Sequence, residues 1–226
     1  MQKHPAIIFF ILVLCCFASA QKDNATQAVP VGKVELLDKV PDGAAAAVQQ
    51  VLDPKGYRVL LDDGSVACEL WLRKTVPGQA KSDTSGIVYP QLAESTLVGV
   101  ISFPQASTDY RGQAIKSGTY TLRYELQPAD GNHMGVSPTR DFLLLIPAGS
   151  DADPKTVYKF QELVALSEEA TQTKHPGVLN LVEPPPGSAP AVSRDDEEHW
   201  IFSAGTKLES GQDLTIALVV RGTAPQ

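Results

Sequence analysis

The sequence predicts an all-β protein, a two-sheet antiparallel β-sandwich of jelly-roll or immunoglobulin-like order with one or two peripheral helices. Three observations predict it. Short apolar or alternating segments recur from Tyr57 onward, glycine and proline punctuate the gaps between them, and three-to-four helical spacing is confined to two stretches.

In chain order, the first segment is of another kind. Lys3 and His4 precede an unbroken apolar run from Pro5 to Phe17, and Ala18-Ser19-Ala20 supplies the small residues that a signal peptidase reads. Residues 1–20 therefore read as a signal peptide cleaved near Ala20, which places the mature protein in the periplasm or outside the cell. The competing reading, a lipid-modified Cys15 or Cys16, lacks the small residue required before the cysteine, because Leu14 or Cys15 stands there. Residues 21–33 read as a flexible polar tail, and its sequon at Asn24-Ala25-Thr26 has meaning only in a eukaryotic secretory pathway. Residues 34–226 then form a single domain.

Within that domain, Asp42 to Leu52 is alanine-rich and stops before Pro54, the pattern of a short helix. Tyr57 to Leu61 reads as a strand running into an Asp-Gly turn at Asp63-Gly64. The next strand sets Val66, Cys68, Leu70 and Leu72 on one face and Ala67, Glu69, Trp71 and Arg73 on the other. Cys68 is thereby expected to be a buried, inert thiol. With Cys15 and Cys16 removed in the leader it stands alone, so no intramolecular disulfide is available.

Leu97 to Phe103 is an apolar strand closed by Pro104, and Asp109 to Ser117 is a polar excursion. Gly118 opens the strongest alternation in the chain: Tyr120, Leu122, Tyr124 and Leu126 against Thr119, Thr121, Arg123 and Glu125. The phrase Lys116-Ser117-Gly118-Thr119-Tyr120-Thr121-Leu122 resembles the turn-and-strand edge of many exported β-sandwich modules, transthyretin-like ones included. That resemblance spans under a dozen residues and implies the sandwich alone, with no catalytic residue. Phe142 to Ile146 is apolar on both faces, as in a central strand or one shielded by a helix. Asp153-Pro154 signals a helix start, and Val157, Phe160 and Val164 continue it at helical spacing over 154–170. Glu183 to Pro190 reads as a stiff connector, and His199 to Ser203 and Leu214 to Arg221 as two further strands.

The formal charge of −7 becomes −8 once Lys3 leaves with the leader, a poor match for nucleic acid or an anionic membrane surface. No apolar stretch after the leader is long enough for a membrane-spanning helix. No Gly-x-Ser-x-Gly elbow, phosphate-cradling glycine loop or His-Glu-x-x-His helix occurs, and Gly149 to Asp153 lacks the later ligands of a calcium loop.

Function is therefore sought in the loops. Tyr110 and Arg111 from one excursion, with Asn132, His133 and Arg140 from the segment between the two strongest strands, are the expected ligand-binding residues. Arginine forks onto a carboxylate or sulfate, and tyrosine stacks on a sugar or aromatic face. The expectation is a non-catalytic binding module for a small molecule, glycan or partner protein. The alternative is a copper-handling protein using His133 and Met134, adjacent imidazole and thioether ligands, with His175 as a third. A hydrolase with a carboxylate pair is the weaker alternative, since nothing selects one pair among so many acids. The run Asp195 to Glu198 reads as a solvated loop.

Overall fold

The computed structural model describes residues 29–30, 32–80, 85–128, 139–187 and 189–223. The leader and most of the expected tail lie outside them. The described chain is mostly β, with a seven-stranded antiparallel sheet, a smaller mixed sheet and no closed barrel.

In chain order the elements are β1 (Val29–Pro30), β2 (Lys33–Leu37), α1 (Ala46–Val51), β3 (Gly56–Leu60), β4 (Val66–Leu72), β5 (Thr75–Val76), β6 (Leu97–Phe103), β7 (Ser107–Thr108) and β8 (Ala114–Ile115). They continue with β9 (Gly118–Leu126), β10 (Asp141–Pro147), a 3₁₀ turn (Ala148–Ser150), α2 (Phe160–Thr171), β11 (Val178–Asn180), β12 (Ala191–Arg194), β13 (Trp200–Leu208) and β14 (Asp213–Arg221). The large sheet has the order β11-β10-β9-β6-β4-β3-β2, a meander in which spatial neighbours follow one another along the chain apart from the short β5, β7 and β8. The small sheet runs β1-β12-β13-β14.

The small sheet is not wholly antiparallel. β12 pairs with the first half of β13, and β5 runs parallel to its end, with Thr75 opposite Lys207 and Val76 opposite Leu208. The two short strands share one edge because β12 stops before β13 does. Val29, Pro30 and Lys33, which the sequence assigns to the tail, are paired in the sheets.

Alternation places the core. Val59, Leu70, Leu122 and Leu143 of the large sheet meet Phe202, Ile216 and Leu218 of the small one. Cys68 is among these residues, fully buried, and burial pushes its thiol up to about 12. The opposite faces are covered as well. Under α1, Val48 and Leu52 pack on Trp71, whose indole N–H donates to the Lys39 carbonyl at 2.8 Å. Trp71 lies so close over Gly56 that a Cβ there would stand 2.2 Å from its Nε1. On β10, Leu143 and Leu145 face the shared core while Phe142, Leu144 and Ile146 meet Leu163 of α2, so a helix shields the second face.

Helix α2 begins at Phe160, six residues after the predicted start. The cause is Arg123. All five of its N–H groups are used: three go to the carbonyls of Ser95, Asp153 and Thr156, and two fork onto the Asp151 carboxylate at 2.7 and 2.8 Å. Asp153-Pro154 makes a turn closed by the Asp153 side chain on the Lys155 N–H, and Val157 is 82% exposed. The helix starts instead where Glu162 accepts the Lys159 N–H at 2.9 Å, and it ends at Gln172 in the left-handed conformation.

Candidate functional site

A single buried carboxylate folds the polar excursion. Asp109 Oδ1 accepts the backbone N–H groups of Arg111 at 3.0 Å and Gln113 at 2.7 Å, and Oδ2 accepts Gln113 Nε2 at 2.8 Å and the Val178 N–H at 3.3 Å. Burial pushes this carboxyl up, against the pull of those bonds. Gly112, at φ +78, supplies the turn between them. Gln113 also donates to the Pro176 carbonyl and accepts from Thr173, while the Tyr110 N–H donates to the Val178 carbonyl. The excursion is thus clamped to the segment joining α2 to β11.

The clamp creates a pocket of about 340 Å³ on the face of β10 and β11 that is turned away from the shared core. Phe142 and Val178 form its sheet wall, Phe160 and Val164 its helix wall, and Tyr110 closes one side. Arg111, Lys174 and His175, all exposed, stand at its rim, while Gln127 and Asn180 add amides. Among the described residues the lining includes no carboxylate, serine or cysteine.

No family model matches this sequence, and neither a curated protein nor a solved structure matches it.

Of the expected ligand-binding residues, Tyr110 and Arg111 come together here, joined by His175, which was expected only as a copper ligand. Tyr110 is not the exposed stacking residue its loop position suggests. It is only 2% exposed, and its ring lies tilted against the His199 imidazole with centroids 5.4 Å apart. Arg140 is outside the lining: its guanidinium donates to the Gln127 carbonyl at 3.1 Å. Asn132, His133 and Met134 lie outside the described residues. Among the described residues no three His, Cys, Asp or Glu side chains form a group that could hold a metal. Asp151, considered for a calcium loop, is occupied by Arg123, Thr121 and Tyr158.

Three features escaped the sequence. Phe160 and Val164 read as a helix face, with no signal that the face borders a cavity. His199, assigned only to a strand, is buried with Nδ1 2.9 Å from the Asp195 carboxylate and Nε2 3.0 Å from the Thr223 carbonyl. Two acceptors demand two N–H donors, so the doubly protonated ring fits this site. Burial opposes that charge, but the bonds to Thr223 and Asp195 outweigh it and the pKa is raised. Asp195 therefore leaves the solvated run, whereas Asp196, Glu197 and Glu198 remain exposed. Finally, Glu125 is buried with Oε2 unpartnered; burial first, and the Glu94 charge second, push it up to about 7.

Proposed function

We propose that this protein is an exported, non-catalytic binding module that takes a small molecule in the pocket between α2 and the 109–113 excursion. One observation carries the reading: an apolar recess of ligand-pocket size with a few polar groups converging at its rim. Arg111 supplies the fork that the sequence analysis assigned to it, while Tyr110 serves as wall rather than platform. The described lining residues include no carboxylate pair to flank a bond, which supports binding rather than hydrolysis. The two sheets, sharing one core, support a sandwich. Neighbours in the large sheet follow chain order, while the chain crosses to the small sheet at β5 and returns at β6.

The test is a fragment screen by ligand-observed NMR on the wild type and on Val164→Trp, whose indole fills the pocket from the helix side. Hits on the wild type that vanish in the variant support the reading. Hits that survive the substitution, or none at millimolar concentrations, overturn it. Export is checked separately by the intact mass of the protein recovered from expression with its leader. A chain beginning at Gln21 is expected, and a chain retaining Met1 in the cytoplasm contradicts it.

A further inference from the structure

Resting on the pocket reading, we infer that the ligand is a small amphiphilic anion: an organic acid whose body is one or two rings or a short chain. Charge placement carries this. The chain holds 26 acidic residues against 19 lysines and arginines, yet the described residues that line the pocket include Arg111, Lys174 and His175 and no carboxylate. Elsewhere, Arg58, Arg73, Arg123 and Arg194 each have a carboxylate partner, while Arg140 and Arg221 have none among the described residues. Among the described residues neither Arg111 nor Lys174 has one, and Asp109, next to Arg111, is saturated by four N–H groups. An anion seated in the pocket would take charge-assisted hydrogen bonds from these exposed cations.

The body of the ligand follows from the walls. Phe142, Phe160, Val164 and Val178 offer contact and no hydrogen bonds. A volume of about 340 Å³ stands at the lower end of ligand pockets. A glycan is disfavoured because its hydroxyl groups need acceptors, and the described lining has none of the carboxylates that commonly supply them.

The experiment titrates the purified protein with three probes of one shape: 2-naphthoate, 2-naphthalenemethanol and 2-naphthylmethylammonium, followed by calorimetry. The wild type is expected to bind naphthoate at one site at least tenfold more tightly than the alcohol, and the ammonium most weakly. In Arg111→Ala/Lys174→Ala the gap between naphthoate and the alcohol closes, and in Val164→Trp all binding is lost. Both cations are exposed, so the double variant keeps its fold, which its thermal midpoint verifies. If the alcohol binds as tightly as naphthoate, or the double variant preserves the gap, while Val164→Trp still abolishes binding, the anion inference falls and the pocket reading stands. If no probe binds, or Val164→Trp leaves binding intact, both fall together.

Discussion

Glu125 and His199 are two buried groups whose protonation the fold shifts, and both push stability the same way. Each has a folded pKa raised above its unfolded value, so its contribution is complete below the unfolded value and is lost as pH rises through the folded one. For Glu125 the window runs from its ordinary value of 4.5 to about 7. For His199 it opens at 6.5 and extends upward. The wild type is expected to be less stable in urea at pH 8.5 than at pH 5.5. Glu125→Gln should remove on the order of 2 kcal/mol of that loss, since it cannot ionise. Identical pH dependence in wild type and variant would sink the assignment. Asp151→Asn makes a harsher test, because it strands the buried Arg123 guanidinium without its counter-charge. A loss of about 3–5 kcal/mol in denaturant unfolding is expected, and a loss under 1 kcal/mol would contradict the role given to this pair.

Strands were the legible elements. Leu97–Phe103 has the bounds its apolar run implies, and Gly118–Leu126 the bounds of its alternation, because strand patterning and turn residues are local properties. Shorter strands such as Val178–Asn180 and Thr75–Val76 have too few residues to show a period and exist because a neighbour completes them. Helix α2 shows a local signal overruled from afar: Asp153-Pro154 is a sound start signal, but Arg123 claims the carbonyls of Asp153 and Thr156. Two substitutions separate the rival starts. Glu162→Ala should lower stability by about 1 kcal/mol by uncapping the observed helix, while Pro154→Ala should leave the far-UV helical signal unchanged. The opposite pattern in circular dichroism and urea unfolding would return the start to Pro154.

At the scale of the molecule, the two sheets are joined at one edge. The Val182 N–H donates to the Ala217 carbonyl at 3.0 Å, and the Tyr89 hydroxyl accepts the Ala217 N–H at 2.8 Å and donates to the Val182 carbonyl at 3.1 Å. Tyr89→Phe leaves the buried Ala217 N–H without its partner and should destabilise by about 1–3 kcal/mol. Hydrogen exchange should then show faster loss of protection at Ala217 and Val182 than at Leu122, and uniform loss across both sheets would mean that the seam has no distinct role. The same edge carries the pocket, since β11 contributes Val178 and Asn180 to the lining just before Leu181 bridges to Leu218.

By itself the sequence determined the β-rich class, the positions of the long strands and the burial of Cys68. These follow from alternation, turn chemistry and residue type, which act over a few positions. Only the tertiary structure decided that the polar face of β9 is buried, because Arg123 and Thr121 find their partner in Asp151, about thirty residues away. It also decided that Tyr110 is a wall and that Phe160 and Val164 face it across a cavity. A pocket is a relation between segments brought together by burial and hydrogen bonding, and those partners lie beyond the reach of any local pattern.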